Sequence, residues 1–174
     1  MTENELKKFI TQIDKFDLTE EEKCKQGGSF IKLQSGETHY EIKGEGETIV
    51  LVHGYATPYY LYEKLFDAFV KKGYKTLRYD LYGRGFSERV ESDYTPEFFA
   101  EQLAELIDAV IPNEKFFLVG TSMGGAICAT FTAKYPEKAV ELMQLLFTEE
   151  GKDLYNLLTF GIEGTHYEKL DDDT

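Results

Sequence analysis

An α/β fold, with a mostly parallel sheet and helices on both faces, is expected from three observations between Ile49 and Tyr135. Apolar runs at Ile49–Val52, around Leu77 and at Phe116–Val119 alternate with segments of helical periodicity. That order requires crossover connections, and crossovers make neighbouring strands parallel. Ile49-Val50-Leu51-Val52 is continuous, apolar and rich in β-branched residues, as in a strand buried on both faces. Phe116-Phe117-Leu118-Val119 runs directly into Gly120-Thr121-Ser122-Met123-Gly124, then into the small residues Gly125-Ala126-Ile127-Cys128-Ala129. A strand, a glycine-flanked turn and a helix are thus expected in immediate succession.

The elements follow in order. Leu6, Phe9, Ile10, Ile13 and Phe16 fall at helical spacing in the charged stretch 3–23. They predict an amphipathic helix within an N-terminal helical extension, residues 1–28. Ser29 to Leu33 and Thr38 to Ile42 read as an antiparallel hairpin turning at Ser35-Gly36, and Gly44-Glu45-Gly46 leads into the Ile49 strand. Tyr62, Leu65, Phe66, Phe69 and Val70 mark one face of a helix that stops at Gly73, and the Leu77 strand follows. Thr95-Pro96 supplies a cap and a first-turn proline for the next helix. Its buried face is Phe99, Leu103, Leu106, Ile107 and Val110, with Pro112 just past its end. Residues 29–136 form the sheet core, and 137–174 an acidic, helical tail of different character.

Composition narrows the function. A chain of 174 residues with 42% hydrophobic and 14% aromatic content is a globular domain. A net charge of −13 argues against nucleic-acid partners, which need clustered Lys and Arg, and suits solubility. Cys24 and Cys128 form neither a disulfide framework nor a zinc-ligand spacing. The amino-terminal residues hold no apolar h-region, and no apolar run reaches the roughly 18 residues of a membrane helix. A cytoplasmic location without a membrane span is the expectation.

Gly120-Thr121-Ser122-Met123-Gly124 has the G-x-S-x-G spacing of a nucleophile elbow, which exposes a serine at the carboxyl end of a buried strand. The phosphate-binding alternatives need a Gly-Lys-Ser/Thr ending or G-x-G-x-x-G, and neither occurs in this turn. With VLVHGYATP at 50–58, YDLYGRGFSE at 79–88 and LVGTSMGGA at 118–126, the chain resembles the α/β-hydrolase superfamily, particularly its small esterase and lipase-like members. The resemblance runs from about Ser29 to Pro136.

It implies a serine hydrolase acting on small carboxylic esters or acylglycerols through an acyl-enzyme at Ser122, with no metal or organic cofactor. The backbone amides of Tyr55 and Met123 would form the oxyanion hole. His53 would orient its loop, since the superfamily's catalytic histidine follows the serine in sequence. Asp80, Arg84 and Ser87 would shape the turn after the Leu77 strand. Tyr59, Tyr60, Tyr82 and Phe86 are assigned to the core rather than to an acyl pocket.

The same resemblance makes the sheet a truncated one. Three further strand-helix units are expected after the nucleophile, and residues 123–174 do not hold them. Ala139, Leu142, Met143 and Leu146 keep helical spacing where the superfamily would place a strand near Val140. The stretch containing GIEGTHYE resembles the carboxyl-terminal part of bacterial extracellular solute-binding lipoproteins. His166 is the sole histidine after Ser122 and the candidate base, with Asp153, Glu163 and Asp171 to Asp173 as candidate acids. No strand precedes it to hold its loop, so His166 is expected to lie away from Ser122. The alternative reading is a catalytically incomplete α/β-hydrolase-like scaffold or binding protein. The free edge beside the Phe117 strand is expected to be covered by the tail or to drive self-association.

Overall fold

The computed structural model describes residues 19–138. Thr19 is extended (ψ 158°) and caps α1, Glu20–Lys25, in a reciprocal capping box with Glu22. Thr19 falls within the stretch 3–23 expected to be helical but is extended, and α1 begins after it. The rest of that expected helix lies outside the described residues.

The hairpin forms as expected. β1 (Ser29–Lys32) and β2 (Glu37–Lys43) pair antiparallel, and the Leu33 N–H donates to the Gly36 carbonyl at 2.9 Å. β3 (Thr48–Val52) is buried along its whole length. A 3-10 turn, Tyr59–Tyr62, leads into α2 (Glu63–Lys71) and then β4 (Lys75–Tyr79). Thr95 caps α3 (Pro96–Val110), its hydroxyl accepting from the Phe98 N–H, with proline in the first turn. β5 (Phe116–Gly120), α4 (Met123–Lys134) and a 3-10 turn at Pro136–Lys138 complete the described chain.

The sheet order is β1-β2-β4-β3-β5. β4–β3 and β3–β5 are parallel, whereas β2 joins β4 antiparallel. Alternation along β3 divides the core. Val50 and Val52, with Leu77 and Tyr79, meet Phe99, Leu103 and Leu106 of α3 and Ile127 and Phe131 of α4. Ile49, Leu51 and Phe117 face the other way, onto Phe66 and Phe69 of α2. Each such side chain contributes about 1.5–3 kcal/mol by leaving water, which fixes the faces of all three helices. Among the described residues β5 pairs with β3 alone and forms one edge of the sheet.

Of the four aromatics assigned to the core, Tyr82 is fully buried, and Tyr59 and Phe86 are half-buried. Tyr60 is the correction, at 57% exposed. The 3-10 turn points it outward while its neighbour Tyr62 takes the buried place.

Candidate active site

Two parallel neighbours, β3 and β5, end side by side, and their carboxyl ends carry the His53-Gly54-Tyr55 loop and the Ser122 turn. In open α/β sheets that end of the strands is where ligands bind. Ser122 stands at φ +57°, ψ −122°, a conformation that disfavours any side chain. The surroundings hold it there. A Cβ on Gly120 would lie 2.4 Å from the Gly124 carbonyl oxygen, and one on Gly124 would lie 2.0 Å from the Val52 carbonyl oxygen. Only glycine allows this turn to close and α4 to approach β3, as the G-x-S-x-G spacing implies.

Hydrogen bonds lock the turn. The Thr121 N–H donates to the Val52 carbonyl at 3.1 Å, and the Gly124 N–H to the Thr121 carbonyl at 2.9 Å. The Tyr62 hydroxyl donates to the Val52 carbonyl and shares a 2.8 Å bond with the Thr121 hydroxyl. Ser122 itself is exposed.

The second loop lies against the serine. A Cβ on Gly54 would sit 3.0 Å from the Ser122 Cβ and 3.4 Å from its Oγ. His53 is buried and its tautomer follows from its partners. The Leu81 N–H donates to Nε2 at 3.0 Å, so the ring proton is on Nδ1, which donates to the Gly54 carbonyl at 2.7 Å. In a trans peptide the C=O and N–H point opposite ways. Pinning the Gly54 carbonyl to the ring therefore turns the Tyr55 N–H away from it. The other candidate donor, the Met123 amide, opens α4, where first-turn N–H groups lack helical acceptors.

Burial holds the His53 imidazole below its ordinary value of 6.5, and the Arg84 cation adds to this. The Gly54 hydrogen bond and the Asp80 charge, 3.8 Å from Nε2, act in the opposite sense. Since the folded value is depressed, the unfolded chain takes up a proton first as pH falls below about 6.5. Stability is therefore full above that pH and declines below it. Urea midpoints should fall between pH 7.5 and 5.5, by less in His53→Gln than in the wild type; an equal slope would remove His53 as the cause.

Asp80 ties the loops together. Fully buried, it accepts the Tyr59 N–H at 2.9 Å and the Phe86 N–H at 3.0 Å, and the Ser87 hydroxyl donates to its backbone carbonyl at 2.7 Å. This matches the turn-shaping role expected of Asp80 and Ser87. His39, absent from the sequence-derived site, is the other partner. Its Nδ1 lies 2.9 Å from Asp80 Oδ2, and its Nε2 donates to the Gly27 carbonyl at 2.6 Å. Arg78, buried beside Glu41, stacks on Tyr59 and Phe66 at 4.6 and 4.3 Å. The signal for both was two polar residues, His39 and Glu41, at alternate positions of one strand, hence on one face.

The structure sets Gly54 against Ser122, with Tyr55 and Met123 as their chain neighbours. It places no base beside them among the described residues, because His39 and His53 are both engaged elsewhere. His166, Asp153, Glu163 and Asp171 to Asp173 lie outside the described residues, as do the expected tail helices. No cluster of metal-ligating side chains occurs among the described residues. Nor is any described helix long and apolar enough to cross a membrane. A cleft of about 320 Å³ lined by Ile107, Asn113, Glu114, Phe116 and Lys138 opens at the amino end of β5, away from Ser122.

A family model for the alpha/beta hydrolase fold matches residues 47–143. Over 119 residues the chain is 30% identical to a cis-3-alkyl-4-alkyloxetan-2-one decarboxylase of Shewanella oneidensis, covering 67% of this chain and 37% of that protein. It is 32% identical to a 2-hydroxy-6-oxononadienedioate/2-hydroxy-6-oxononatrienedioate hydrolase of Comamonas testosteroni, covering 64% and 40%. A thermophilic esterase from Thermogutta terrifontis superposes with a TM-score of 0.61 at 25% identity, covering 64% of this chain and 43% of that one. The chain thus spans about two fifths of the length of these curated relatives. The likeness of residues 137–174 to solute-binding lipoproteins finds no support in these matches.

Proposed function

The chain belongs to the alpha/beta hydrolase fold family, and on that premise we propose that it is a serine hydrolase of carboxylic esters or acylglycerols. The observation that carries the proposal is the Ser122 turn, exposed at φ +57° between two glycines whose places no larger residue can take. In the proposed reaction the Ser122 Oγ attacks the ester carbonyl while a general base takes its proton. The carbonyl oxygen becomes an oxyanion facing the Tyr55 and Met123 amides. Collapse expels the alcohol, which leaves with that proton, and water then releases the acid from the acyl-serine. His166 is the remaining histidine for the base, and no cofactor is invoked.

A second reading, a catalytically incomplete scaffold of the same fold, is favoured by one observation: both described histidines are committed to other partners. A fluorophosphonate probe separates the two. A serine hydrolase should label rapidly and stoichiometrically at Ser122, while a scaffold stays unlabelled although folded.

A further inference from the structure

The turn after β4 was expected to shape itself, yet one of its side chains reaches the loop beside the serine. Arg84 sits between Gly83 (φ +72°) and Gly85 (φ +48°). Its backbone is fixed from both sides, with the Arg84 N–H donating to the Leu81 carbonyl at 3.0 Å and the Ser87 N–H to the Arg84 carbonyl at 3.1 Å. A Cβ on Gly85 would lie 2.2 Å from the Asp80 carboxylate, so the turn is packed directly on that buried anchor. From this base Nη1 donates to the Gly83 carbonyl and Nε to the Tyr55 carbonyl, each at 2.9 Å. The guanidinium also lies over the Tyr55 ring at 4.3 Å. Tyr55 is otherwise 65% exposed.

We propose that Arg84 is a positioning residue for the oxyanion hole, clamping Tyr55 so that its amide is held toward Ser122. The inference rests on the reading of Ser122 as a nucleophile. Its logic is geometric. His53 pins the carbonyl before the Tyr55 N–H, and Arg84 pins the carbonyl after it. The Tyr55 N–H lies in the first of these peptide planes, and holding the second restrains rotation about the Tyr55 Cα that joins them. An oxyanion donor is useful only when it is oriented before charge develops, and a displacement of about 1 Å costs roughly a hundredfold in rate. Arg84 has a second effect. The charged groups acting on His53 are Asp80 and Arg84, and the cation helps keep that ring in the neutral form that accepts from Leu81.

The test uses the full chain with Arg84→Ala and Arg84→Lys. Amide hydrogen exchange is read at residues 54–57, and fluorophosphonate labelling of Ser122 is followed across pH. Arg84→Ala should speed exchange at Tyr55 and Ala56 about tenfold and slow labelling by a similar factor. The acid limb of labelling should keep the wild-type position in both variants, because the general base that sets it is untouched. Arg84→Lys keeps the charge but not the flat stacking fork, so its exchange should be intermediate. Unchanged exchange in Arg84→Ala would overturn the clamp. Faster exchange in a chain whose wild type does not label would uphold the clamp and sink the nucleophile instead. If Arg84→Ala does not fold, Arg84→Lys decides, and wild-type exchange at Tyr55 there overturns the proposal.

Discussion

Replacing Ser122 with alanine is expected to lower hydrolysis of short-chain nitrophenyl esters by on the order of 10³-fold or more, while leaving the urea midpoint almost unchanged. The asymmetry follows from the site. The hydroxyl is exposed and caps no helix amide, so folding gains little from it. Removal at a surface position of this kind falls within about 0.5 kcal/mol. Catalysis by an acyl-enzyme, in contrast, has no route without the attacking oxygen. Residues that act as one unit also fail together. A loss in His166→Ala equal to that in Ser122→Ala would identify the base, and an unchanged rate would exclude His166 from the role. Equal ester hydrolysis by Ser122→Ala and the wild type would sink the assignment of Ser122 itself.

What the sequence could and could not disclose divides along the range of the forces involved. The elbow was legible because its constraint is local: Gly120 and Gly124 are required by backbone atoms within a few residues or on the adjacent strand. The faces of α2 and α3 were legible because period alone decides which side is buried, and Phe66, Phe69, Phe99 and Leu103 are all buried as spaced. His39 was not legible, since its role needs Gly27 on one side and Asp80, forty-one residues away, on the other. The reach of Arg84 to Tyr55 across twenty-nine residues is of the same kind. Tyr60 was misplaced because it was assigned to the core as an aromatic near the sheet edge, whereas the 3-10 turn buries Tyr62 and leaves Tyr60 outside. The helix start after Thr19 had a visible cue in Thr19-Glu20-Glu21-Glu22, the spacing of a capping box.

Gly124→Ala and Gly125→Ala, one residue apart in the same helix, are expected to change stability in opposite directions. At Gly124 the added methyl would sit 2.0 Å from the Val52 oxygen and 2.7 Å from the His53 oxygen, both backbone atoms. The Val52 carbonyl cannot step aside cheaply, because it already accepts from the Thr121 N–H and the Tyr62 hydroxyl. Relief must come from lifting α4 off β3, which separates the Met123 amide from the Gly54-Tyr55 loop. Overpacking of this kind costs about 1–3 kcal/mol or more, and the displaced amide should slow labelling of Ser122 as well. At Gly125 the nearest atom to an added methyl is the Gly120 oxygen at 3.7 Å, an ordinary contact. There alanine replaces glycine within a helix and should stabilise by up to about 1 kcal/mol, with labelling kept. Urea denaturation of the two variants beside the wild type measures both signs. A Gly124→Ala protein as stable as the wild type would mean that α4 does not press against the end of β3, and the geometry argued for the serine would fall with it.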